Sequence, residues 1–160
     1  MTEHAGLATR TLAFAVDAAI INAVAWAVAA VVALGLSLLK VPDAVVTAMA
    51  VIGAVIAIGW SIAYFVFFWS TTGQTPGNRL LSIRVVAARS GEPVHAGRAL
   101  LRVLALPLSA LPLCAGFLMI LVDSQRRALH DVLVGTFVVY VREPEPVVTH
   151  VPLDSAKALH

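Results

Sequence analysis

The apolar positions of this chain neither alternate nor form a narrow helical stripe; they continue without a charge for lengths that a helix in water does not need. The first such run goes from Ala18 to Leu39 and reaches back to Thr11 if Asp17 is tolerated within it, and the second goes from Ala44 to Ser70. A helix rises about 1.5 Å per residue and bilayer hydrocarbon is about 30 Å thick, so about 20 apolar residues cross it. Both runs are predicted as transmembrane helices, the second long enough to cross with some tilt. A third charge-free run, Val103 to Val122, is interrupted by Pro107 and Pro112. Proline removes a helical hydrogen bond, so this third membrane segment is expected either as a re-entrant hairpin of two half-helices or as a kinked span.

The segments between and after these runs carry a different pattern. Thr71 to Arg79 is dense in turn residues and reads as a loop leaving the membrane. Its two glycines lack the Gly-Lys-Ser/Thr ending of a phosphate loop, which argues against a nucleotide site. Ser82 to Ala88 and Thr136 to Val141 are β-rich, with turn chemistry at Arg89 to Pro93, and are expected to pair as a small cytoplasmic sheet. Ser124 to Leu133 is predicted as a short interfacial amphipathic helix, with Leu129, Val132 and Leu133 on one face and Arg126, Arg127 and His130 reaching headgroups. Beyond Arg142 the proline-rich sequence has no period and is expected as a disordered cytoplasmic tail. The fold class expected is all-α membrane, with two long transmembrane helices, a proline-broken third segment, a short β pair and an interfacial helix. Residues 1–141 form the membrane domain and residues 142–160 the tail.

Composition sharpens the picture. Of the 160 residues, 60% are hydrophobic and only 12% charged, and mean hydropathy is +0.92. Soluble domains carry about 25% charged residues, so a water-soluble enzyme domain is excluded, and so is a wholly disordered chain. The net charge of +2 sits in a few short segments and does not indicate a nucleic-acid partner. The single cysteine, Cys114, lies in an apolar run and reads as a small buried hydrophobe. A weakly basic amino terminus and a long apolar run do not resemble a cleaved signal peptide.

Orientation follows from the basic residues, which cytoplasmic segments retain. Lys40 is the only one between the first two runs; Arg10 precedes the first, while Arg79, Arg84, Arg89, Arg98 and Arg102 follow the second. The amino terminus and the middle segment are therefore expected in the cytoplasm. The aromatic cluster Tyr64, Phe65, Phe67, Phe68 and Trp69 would then anchor the cytoplasmic end of the second helix. A crossing third run would put Arg126, Arg127, Arg142 and Lys157 outside with Lys40, whereas a re-entrant one keeps them inside. The re-entrant hairpin is the preferred expectation.

Asp17 is the expensive residue, because an ionisable group in a membrane segment persists only with partners or a function. Arg10 precedes it by seven residues, about two helical turns, so the two share a face about 10 Å apart along the axis. Groups from elsewhere are needed to complete a network, and the candidates are Asp131, Arg126, Arg127, Arg79 and Arg102, with Asp123 and His130 in the same late segment. A structural staple explains Asp17 as simply as a proton- or cation-handling role does. Asn22 falls on another face and is expected to join helices. His4, His95, His150 and His160 have no ligand spacing, so no metal and no cofactor are expected. No nucleophile grouping points to an enzyme either.

Four features in order now resemble the RDD family of bacterial integral membrane proteins: Arg10 opening the first helix, Asp17 two turns inside it, the Thr-x-Gly-x-Thr-Pro-Gly-x-Arg loop Thr72 to Arg79, and Arg-Arg-x-Leu-His-Asp-x-x-x-Gly-Thr from Arg126 to Thr136. The family's Arg-Asp-Asp trio would fall on Arg10, Asp17 and Asp131. Asn78 stands where the family loop usually carries lysine. The resemblance implies a multi-pass bacterial plasma (inner) membrane protein with a transport role, cation/proton exchange among the options, or else a non-transporting accessory subunit of a larger complex. Two spans and a hairpin cannot wall off a path from lipid. The partners expected are therefore the lipid bilayer and either further copies of the chain or other membrane subunits.

Overall fold

The computed structural model describes residues 4–110 and 115–141. The predicted tail 142–160 lies outside the described residues, as do Pro112 and Cys114. Helix α1 spans Leu7–Leu39 and helix α2 spans Asp43–Thr71. Both are long and apolar enough to cross a membrane. At about 1.5 Å per residue α1 is about 50 Å long, longer than the hydrocarbon layer, because the apolar pattern continues through Asp17 back to Leu7. Lys40 ends α1 in a left-handed conformation, and Pro42 then caps α2, with Asp43 in its first turn. The antiparallel pair therefore turns at Lys40, and the start of α1 and the end of α2 lie at the same end.

Burial is confined to that end. On α1 the buried residues are Ala13, Asp17 and Ile21, spaced four apart on one stripe, and on α2 they are Phe65 and Trp69, also four apart. The remaining surfaces expose large apolar side chains such as Trp26, Val31 and Ile56. This distribution is that of helices solvated by lipid.

A compact cap covers the buried end. Thr75 caps the short helix α3, Pro76–Leu80, by accepting a hydrogen bond from the Asn78 amide, with Pro76 in the first turn. Strand β1, Ile83–Ala87, pairs antiparallel with β2, Thr136–Tyr140, so that Val85 faces Val138 in the register. His4 bridges Val139, and the Ala5 amide donates to the Val138 carbonyl, so the amino terminus joins the β2 edge.

The third apolar run is not one straight helix. Helix α4, Ala96–Ala110, contains Pro107, and helix α5, Ala115–Val122, follows. A Cβ placed on Gly116 would stand 2.7 Å from the Ser109 Cα. Residues seven apart in a continuous helix are separated by about 10 Å, so α4 and α5 fold back on each other. Helix α6 is only Leu129–Val134, closed by Gly135 at φ 68°. Three expectations are corrected here. The interfacial helix does not include Ser124 to Ala128, because Arg126 takes a positive φ and the Asp123 side chain binds the Arg127 amide. His130 does not reach headgroups but is buried with Asp131. Asn22, expected to join helices, instead donates to the Ala18 carbonyl of its own helix.

Candidate functional site: two buried carboxylates

Asp131 occupies the third position of α6, where its Oδ2 accepts from the Ala128 amide at 3.2 Å and so satisfies one of the helix's free N-terminal donors. Both carboxylate oxygens also meet guanidinium groups: Arg10 pairs with Oδ2 and Arg102 with Oδ1. Thr136, the first residue of β2, donates to Oδ1 at 3.2 Å and accepts from Arg102. Arg102 lies 4.9 Å over the Trp69 ring, a cation–π contact. Arg10 also donates to the carbonyls of Ala5 and Arg126, at 3.1 and 2.7 Å. One carboxylate thus ties together α1, α4, α6 and β2. Burial opposes its charge, but Arg102 and then Arg10 outweigh it and hold the carboxyl at about 2.

His130, the neighbour of Asp131, turns Nδ1 to the Ser109 hydroxyl at 3.0 Å, and the His130 amide donates to the same oxygen at 3.2 Å. Burial first, then the positive charge of Arg102, pushes the imidazole down to about 4 despite the opposing pull of Asp131. The ring is therefore neutral at pH 7.

Asp17 has a different environment. It is 1% exposed, and its carboxylate accepts from the Tyr64 hydroxyl at 2.9 Å, the Thr75 hydroxyl at 2.5 Å and the Gly77 amide at 2.8 Å. A Cβ at Gly77 would stand 2.1 Å from the Ala13 carbonyl oxygen, so only glycine lets α3 approach α1 this closely. Among the described residues no guanidinium bonds to Asp17. The predicted candidates thus separate: Arg10, Arg102 and Asp131 come together with His130 beside them, while Asp17 is held by neutral donors alone.

The other candidates lie apart from both carboxylates. Arg127 and Asp123 form their own two-pronged pair at 3.0 and 3.1 Å. Arg126 contributes only its backbone carbonyl, and Arg79 is exposed. The sequence reading missed Tyr64, Thr75, Gly77, Ser109 and Thr136 as partners. Thr75, Gly77 and Thr136 stood within the quoted motifs, whereas Tyr64 was absorbed into the aromatic cluster and Ser109 carried no signal.

A cavity of about 410 Å³ lies between these groups. Arg10, Asp17, Thr75, Arg102 and His130 contribute to its wall, and Phe14, Phe65, Trp69, Leu106 and Phe117 make much of the rest. Among the described residues no cluster of histidine, cysteine and carboxylate side chains could hold a metal ion.

Two apolar helices of spanning length, bound at one end by a small cap and two buried carboxylates, define a membrane-type helical protein. The chain belongs to the RDD family, whose profile matches residues 4–135. No curated protein and no solved structure matches it.

Proposed function

We propose that this protein takes part in transport across a bacterial inner membrane, moving an ion or small solute by cation/proton exchange at Asp17, as an oligomer or as a subunit of a larger complex. One observation carries the reading: a buried carboxylate in a long apolar helix, on a cavity wall, whose three bonding partners are all neutral. A charge without a counter-charge in low dielectric is costly, and binding a proton or cation removes the cost. Asp131 has no such need, since two arginines already neutralise it. In this reading it positions the cap and does not exchange.

The orientation proposed is a multi-pass chain with its amino terminus in the cytoplasm. Supporting it, Arg10, Arg84, Arg102, Arg126 and Arg127 belong to the capped end while Lys40 sits at the far turn. The close approach of Gly116 to Ser109 supports a re-entrant third segment. The lipid bilayer and membrane subunits, not nucleic acid, are the partners in this reading, and no enzymatic step is assigned.

A second reading rests on the same three bonds, because Asp17 joins α1, α2 and α3 and would serve equally as a staple in a non-transporting accessory subunit. Asp17→Asn in reconstituted protein separates the two. Transport requires that ion or proton flux disappear while the purified assembly keeps its mass. An accessory role requires that the wild type show no flux of its own and that the variant lose assembly.

A further inference from the structure

We propose that the cavity is a binding site for the apolar tail of a membrane amphiphile, which enters sideways from the bilayer between α1 and α5. Residues that line the cavity and also face outward mark its mouth. These are Thr11, Phe14 and Leu118, of which Phe14 and Leu118 are each 49% exposed. They belong to helices whose outer surfaces are apolar, so the mouth opens sideways onto hydrocarbon, close to where that layer meets the charged cap.

Most of the interior wall is apolar, which suits a tail. Most of the cavity's polar groups are committed to one another, Asp17 to Tyr64, Thr75 and Gly77, and Arg10 and Arg102 to Asp131, while Trp69 Nε1 and Arg102 Nε are buried without a hydrogen-bond partner among the described residues. What remains for a guest is mainly aromatic and aliphatic wall, in which Trp69 is buried, Leu106 is half-buried and Phe14 lies exposed near the mouth. A volume of about 410 Å³ lies within the range of small-ligand sites. The mouth lies in the first two turns of α1, the depth at which amphiphiles carry their polar heads, so a tail can turn inward while its head stays at the interface. The inference does not depend on whether Asp17 exchanges protons, since occupancy is read without any flux.

The tryptophans make the test direct. Trp26 and Trp60 are exposed on α1 and α2, whereas Trp69 is buried in the cavity wall. In a Trp26→Phe/Trp60→Phe variant, reconstituted into vesicles of unlabelled phosphatidylcholine that hold no other protein, Trp69 alone reports contact with a fatty acid brominated on its chain. The expected result is quenching that saturates at low mole fraction. Leu106→Phe, which enlarges a side chain of the wall, and Thr11→Phe, which narrows the exposed mouth, should each weaken binding about tenfold. If Leu106→Phe does not fold, Thr11→Phe still decides. Absent quenching, quenching that rises linearly with the brominated lipid, or saturation that the folded variants leave unchanged overturns the proposal.

Discussion

Replacing Asp131 with asparagine would leave Arg10 and Arg102 buried around a neutral side chain, with no carboxylate between them. Breaking a buried ion pair from one side costs about 3–5 kcal/mol, because the remaining charge stays uncompensated. Asp131→Asn should therefore unfold at markedly lower temperature in detergent micelles, while Asp123→Asn, at a half-buried pair where asparagine still offers an oxygen to the Arg127 amide, should lower it less. His130 predicts a pH dependence of known sign. Its folded value of about 4 lies below the ordinary 6.5, so its contribution is intact above pH 6.5 and is lost as pH falls towards 4. Between pH 7 and pH 5 the loss should be about 2 kcal/mol in unfolding free energy, at about 1.4 kcal/mol per pH unit, and His130→Asn should abolish that slope. The sequence made Arg10, Asp17 and Asp131 visible because charges in apolar segments are expensive. It did not show how they pair. Arg10 and Asp17 share a helix face, yet two turns of axial offset bring them to different layers of the cap. Tyr64, Thr75, Ser109 and Thr136 are polar but uncharged, and uncharged partners leave no trace in a charge pattern.

Run length made α1 and α2 legible, since few other structures require more than twenty apolar residues in succession. The proline-broken run was legible only as an interruption. Its folding back depends on Gly116 meeting Ser109, a contact between residues that no periodicity links. Labelling decides whether that hairpin returns to the side it left. In a Cys114→Ala background, Ser90→Cys and Ser124→Cys should react with an impermeant thiol reagent from the same side of the membrane, and Lys40→Cys from the other. Reaction of Ser124→Cys together with Lys40→Cys would show a third crossing. Helix α6 was misjudged for a local reason. Amphipathic spacing from Ser124 to Leu133 suggested one helix, but the Asp123 carboxylate captures the Arg127 amide and side chain and holds the intervening backbone in a turn. The helix begins only where Asp131 can satisfy the Ala128 amide, and His130 beside it is buried.

At the scale of the molecule, the membrane-facing surfaces and the cap obey different physics. The outer halves of α1 and α2 need only lipid around them, whereas the interactions that close the cap lie at one end and join residues distant in sequence: Arg10 with Asp131, Asp17 with Thr75, and His4 with Val139. Such long-range closures carry a loop-entropy cost before they return any stability. The clasp between the amino terminus and β2 therefore imposes an order on biogenesis. While the ribosome is still adding the last third of the chain, α1 already sits at the bilayer with a naked guanidinium at its mouth, and its counter-ion has not been made. The clasp closes only once Asp131 has been added, and until then water and headgroups must solvate the Arg10 guanidinium in its place.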